Sequence, residues 1–130
     1  MNYTSIEQSK KLVELGLDPS TADMCWKRIF DENHQMSDHR VKLLPYKLYS
    51  GIGVPCWSVG RLIELMPYRI LDNGVSKYLS IVKDKSDTFC ITYYDNIIAA
   101  FEDIASACFK AIVWLIENHY INKQWNEKNK

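Results

Sequence analysis

The sequence predicts an α+β fold, a small antiparallel sheet of about three strands packed against a long C-terminal helix and shorter N-terminal helices. Three observations predict it. From Ile98 to Asn118 the apolar residues Phe101, Ile104, Cys108, Ile112 and Leu115 recur at steps of three and four, the spacing of one helix face. Between Tyr68 and Tyr94 three short segments rich in β-branched and aromatic residues are separated by turn residues. Before them, cap and stop signals mark short helices in the first 24 residues and between Ser58 and Pro67.

Taken in order, Thr4 followed by Glu7 fits a capping box, in which hydroxyl and carboxylate satisfy backbone N–H groups at a helix start. The first helix is expected to reach about Leu15, with Gly16 closing it in a left-handed cap and Leu17 folding back on the last turn. Asp18-Pro19 restarts the pattern as N-cap and first helical residue, predicting a second short helix to about Met24. From Cys25 to Trp57 the chain reads as extended loop with short strands such as Val41 to Leu44 and Lys47 to Tyr49. Polar Asp31 to His39 reads as a loop. Ser58 caps a third helix that Pro67 ends, because proline disfavours helix at the residue before it.

The strands follow. Tyr68 to Leu71 runs into Asp72-Asn73-Gly74, a turn signal because Asn and Gly accept positive φ. In Lys77 to Lys83, Leu79 and Ile81 face one way, Tyr78 and Val82 the other. In Thr88 to Tyr94, Phe89, Ile91 and Tyr93 share a face, and Asp84 to Asp87 joins the two strands. The apolar sheet face needs cover, and the long helix after Asp95 or Asn96 is placed to supply it. Glu102, Asp103, Lys110 and Glu117 mark that helix's solvent side. Residues 1–121 are expected to form a single α+β domain and 122–130 a polar C-terminal tail.

The chain has 130 residues, enough for one hydrophobic core. Lysine plus arginine and aspartate plus glutamate each number 16, and this balance argues against a dedicated binder of nucleic acid or anionic membrane. It also permits self-association. The start MNYTSIEQSKK carries no basic-then-apolar leader, and no apolar run approaches the length of a membrane span, so cytoplasmic residence without membrane attachment is expected. Cys25, Cys56, Cys90 and Cys108 are scattered and read as reduced thiols.

Leu12 to Trp26, Pro55 to Pro67 and Ala100 to Ile121 together resemble a group of small, functionally uncharacterised proteins encoded by prophages and other mobile elements of gut bacteria. The likeness spans most of the chain outside Lys27 to Val54. It implies a phage-derived cytoplasmic protein and brings no activity, cofactor or site residue with it.

Few residues suggest chemistry. Cys25, His34, His39 and Cys56 could form a zinc site, but their spacing lacks the close ligand pairs of structural zinc. Cys56 with His34 or His39 could act as nucleophile and base, helped by a nearby helix N-terminus, without a recognisable signature or third residue. Ser50 to Gly53 is too short for a phosphate loop. Arg40, Lys42 and Lys47 with Tyr46 and Tyr49 form a small basic and aromatic cluster that could stack bases. His119 falls in the last turn of the long helix, where positive charge is favourable. Four Trp, eight Tyr and four Phe make the chain aromatic-rich. Trp26, Trp57, Trp114 and Trp125 fall outside the expected strands, and Trp114, Phe109 and Trp125 lie off the helix stripe or in the polar tail. The leading expectation is a non-enzymatic module that binds an unknown protein or itself through Trp114, Trp125 and Phe109. A nucleic-acid-associated regulator is the alternative and a Cys-dependent enzyme the third. No metal or cofactor is expected.

Overall fold

The structure, a computed structural model, describes residues 2–30, 36–45 and 53–121. The predicted mixed α+β class is the observed one. Among the described residues there are three α-helices, one 3-10 turn and seven strands in two antiparallel sheets.

Helix α1 (Ile6–Glu14) starts one residue later than the sequence suggested. Ser5, not Thr4, is the N-cap, and Gln8, not Glu7, closes the capping box. Thr4 is instead buried, because its hydroxyl is consumed by contacts to Ser9, Cys56 and the Trp57 N–H. Gly16 ends the helix at φ 99°, and Leu17 N–H donates to the Leu12 carbonyl at 3.0 Å, the backward fold expected of it. Asp18 caps the next turn as predicted, but only Pro19–Thr21 is helical, as a 3-10 turn.

Strand β1 (Met24–Phe30) then begins. It is central in a three-stranded sheet ordered β2-β1-β3, with β2 at Met36–Pro45 and β3 at Val54–Cys56. Val41 to Leu44 is strand, as expected. The loop reading of Asp31 to His39 is corrected at Met36 to His39, which belong to β2; its earlier part lies outside the described residues, as does Lys47 to Tyr49. Local polarity misled here because the segment is strand without an apolar run, its Met36 paired with Phe30 of β1. Helix α2 (Val59–Leu65) has Ser58 as its N-cap, as predicted.

The second sheet has four strands in the order β4-β5-β6-β7: Arg69–Asp72, Val75–Lys83, Phe89–Tyr93 and Asn96–Phe101. The Asn73-Gly74 turn joins β4 to β5 with positive φ at both residues. Strand β7 replaces the first turn of the expected long helix. A two-residue hairpin, Tyr94-Asp95, links it to β6, and Tyr94 takes φ 60° to make the turn. Helix α3 is therefore Ile104–Glu117, capped by Asp103. It packs on β6, β7 and α2. Its buried stripe holds Cys108, Ile112 and Leu115 as expected, widened by Ala105, Ala111 and Ile116; Phe101 sits on β7 and is 40 % exposed.

The core under α3 joins Leu12, Leu17, Trp57 and Leu62 to Ile70, Ile91 and Tyr93. Among the described residues, no helix is long and apolar enough to cross a membrane.

Candidate functional site

The thiol candidates are buried. Cys56 lies in β3 and Cys25 in β1, both without solvent exposure. Met24 pairs with Cys56 and Cys25 with Pro55, so the alternation of β1 sends the two cysteines to opposite sheet faces. One ion cannot take both. Burial pushes the Cys56 thiol up, against a weaker lowering by the Thr4 hydroxyl, and this opposes the thiolate a nucleophile needs. Cys56 Sγ donates to the Thr4 carbonyl at 3.3 Å, so it is a packed donor. Cys108, under α3, is likewise pushed up to about 11 by burial and by the Asp103 carboxylate. His34 lies outside the described residues, and His39 is placed only as a backbone position of β2. Among the described residues no group of three His, Cys, Asp or Glu side chains could hold a metal.

Of the basic cluster, Arg40 and Lys42 fall on β2, where Lys42 pairs with Lys27. Tyr46, Lys47 and Tyr49 lie outside the described residues, as does most of the Ser50 to Gly53 turn.

Of the four tryptophans, two are held among the described residues by hydrogen bonds from their indoles. Trp57 is fully buried and donates its indole N–H to Thr21 Oγ1 at 2.9 Å; Trp26 donates to the Thr4 carbonyl at 2.9 Å. Trp114 is half-buried between Tyr93 and Tyr120, with ring centroids 6.3 and 5.6 Å away and near-parallel planes. Tyr93 completes the stack by donating its hydroxyl to the Pro67 carbonyl at 2.6 Å. Phe109 is half-buried against the core. Trp125 lies outside the described residues. Beside the stack, an open groove of about 450 Å³ runs between Glu64–Tyr68 and Tyr120-Ile121.

What the sequence reading did not assign is the outer face of the four-stranded sheet. Register places it residue by residue. Leu71 pairs with Ser76 and Arg69 with Tyr78; Ser80 pairs with Thr92 and Thr92 with Ile97; Val82 pairs with Cys90 and Cys90 with Ala100. Cross-strand partners share a face, and the opposite face, with Ile70, Leu79, Ile81, Ile91 and Tyr93, is the one against the core. On the outer side Leu71, Tyr78, Val82 and Ile97 are each more than half exposed. Arg69 is the one charged residue among these ten positions. The signal was present in β5, where both alternating sets contain large apolar or aromatic residues, unlike a strand with one polar solvated face.

No family model, curated protein or solved structure matches the chain.

Proposed function

We propose that the protein is a non-enzymatic, phage-derived module that works in the cytoplasm by binding protein, and that it binds through the outer face of β4 to β7. The observation that carries this reading is the exposure of Leu71, Tyr78, Val82 and Ile97 on one sheet face where Arg69 is the one charged position, with Ser76, Ser80, Thr92 and Cys90 set among them. Four large apolar side chains exposed on one face are the kind of surface that a protein partner covers. Two features weigh against chemistry. Burial pushes the Cys56 and Cys108 thiols up, and Tyr93 likewise, its hydroxyl committed to the Pro67 carbonyl. Trp114 and Phe109, half-buried at the edge of the core, remain a second candidate surface.

The test is capture from bacterial lysate by immobilised wild-type protein and by a Tyr78→Ala/Val82→Glu variant, each with and without nuclease. A bound protein that resists nuclease and is lost with the variant is the expected result. Capture that ignores the two substitutions removes the sheet face as the site. Capture that nuclease abolishes favours a nucleic-acid partner instead, with the β2 cations as the next candidates.

A further inference from the structure

We propose that Asn73 is a site of spontaneous covalent modification, where the side-chain amide closes on the Gly74 backbone nitrogen and the chain re-forms as isoaspartate. The proposal stands apart from the binding reading above. Asn73-Gly74 is the one asparagine-glycine pair in the sequence; every other asparagine precedes a residue whose side chain crowds the attacking nitrogen. Turn chemistry puts the pair here, because Asn73 at φ 52° and Gly74 at φ 81° both take the left-handed region that a two-residue hairpin needs. The fold leaves it open. The β4–β5 ladder ends at Asp72 and Val75, so the Gly74 nitrogen lies outside it. Asn73 and Gly74 are both exposed, and a Cβ at Gly74 would meet no atom within 4 Å. Solvent therefore reaches the Gly74 N–H, and no neighbouring side chain stands in the way of ring closure.

The reaction needs only water and hydroxide. Hydroxide takes the Gly74 amide proton, the nitrogen bonds to Asn73 Cγ, and the Cγ–Nδ2 bond breaks. Nδ2 leaves as ammonia with a proton from water, which restores the hydroxide. Water then opens the succinimide ring. Addition at Cγ gives aspartate; addition at the main-chain carbonyl carbon gives isoaspartate, with one extra methylene in the backbone. A two-residue turn fixes the register of the strands it joins, so the longer backbone works against the pairs Asp72 with Val75 and Leu71 with Ser76. Either product also sets a new carboxylate next to Asp72, which accepts from Lys77 Nζ at 2.7 Å. Strand β4 has four residues and lies at the sheet edge, paired with β5 alone, so it is the element that loosens.

The experiment incubates the folded protein at mildly alkaline pH over days to weeks. Mass spectrometry follows the peptide that carries Asn73, and amide hydrogen exchange is measured on the separated products. The expected result is conversion at Asn73 ahead of every other asparagine, with isoaspartate among the products and a rate that rises with pH. In the isoaspartyl form the β4 amides should exchange about tenfold faster while those of α3 are unchanged. Asn73→Gly is the control: it accepts positive φ, has no amide to lose, and should keep the exchange pattern of fresh wild type. An Asn73 that stays intact in the folded protein, while the guanidinium-unfolded chain converts, overturns the site. Isoaspartyl protein whose β4 exchanges like fresh wild type overturns the loosening of that strand.

Discussion

At the scale of single residues, the ends of α1 and α3 use one device with different residues. In α1 the Gly16 N–H donates to the Val13 carbonyl and the Leu17 N–H to the Leu12 carbonyl. In α3 the His119 N–H donates to the Ile116 carbonyl and the Tyr120 N–H to the Leu115 carbonyl. Both are Schellman closures, which need a left-handed residue one step past the C-cap. Gly16 takes φ 99° without a Cβ to clash; His119 takes φ 63° and bears the strain of an L side chain there. His119 thus lies beyond the last helical turn where the sequence placed it, and its position is conformational first. Gly16→Ala should lower stability by about 1 kcal/mol and His119→Gly should raise it by a similar amount. Urea melts of the two variants check this, and shifts of the same sign for both would contradict the shared closure.

At the scale of elements, legibility followed the kind of signal. Residues whose local chemistry alone sets structure were read correctly: Asp18 and Ser58 as caps, Gly16 as a stop, Asn73-Gly74 as a turn, and the alternation of β5 and β6. Strands β1 to β3 were blurred because β3 pairs with β1 from the far side of β2 in sequence, and because nothing in polar Met36 to His39 says locally that it is strand. Strand β7 was lost for a different reason. Asn96 to Phe101 contains two alanines and an apolar spacing that continues the stripe of α3, and its turn is made by Tyr94 rather than by glycine or asparagine. Tertiary pairing with β6 overrides the local helical preference there. The two assignments of residues 98–103 differ in consequence. On a helix, Phe101 and Ile112 would be equal members of one buried stripe. In the strand, Phe101 sits at the sheet edge while Ile112 is fully buried beneath it. Ile112→Ala should cost about 2–5 kcal/mol by loss of burial and by the cavity left behind. Phe101→Ala should cost about 1 kcal/mol, and equal losses in thermal denaturation would restore the longer helix.

At the scale of the whole molecule, the N-terminal segment ties the end of β3 to the start of α2, and α1 to α3. The Thr4 N–H donates to the Trp57 carbonyl and the Val59 N–H to the Asn2 carbonyl, both at 2.9 Å, with Tyr3 and Ser58 bridged between them. Residues 2–4 thus extend the edge at β3 and the start of α2. Gln8 Nε2 reaches Ser106 Oγ at 3.2 Å, tying α1 to the first turn of α3. Trp57 is where these ties converge. It follows β3, is completely buried, belongs to the core beneath α3, and its indole reaches back to Thr21 at the head of β1. If the core is one cooperative unit, weakening Trp57 must lower the stability of both sheets together. Trp57→Phe removes the indole donor and leaves Thr21 Oγ1 with its hydroxyl bond to the Asp18 carbonyl but without the donor it accepted from. The smaller ring also leaves space in a packed site. Together these should lower stability by about 2 kcal/mol. The slope of the urea transition should stay unchanged, because the surface exposed on unfolding is the same. Far-ultraviolet circular dichroism and tryptophan fluorescence should give coincident single transitions in both proteins. Two separated transitions in the variant would mean that the β2-β1-β3 sheet unfolds by itself, and that Trp57 packs against the α3 core without coupling the sheets.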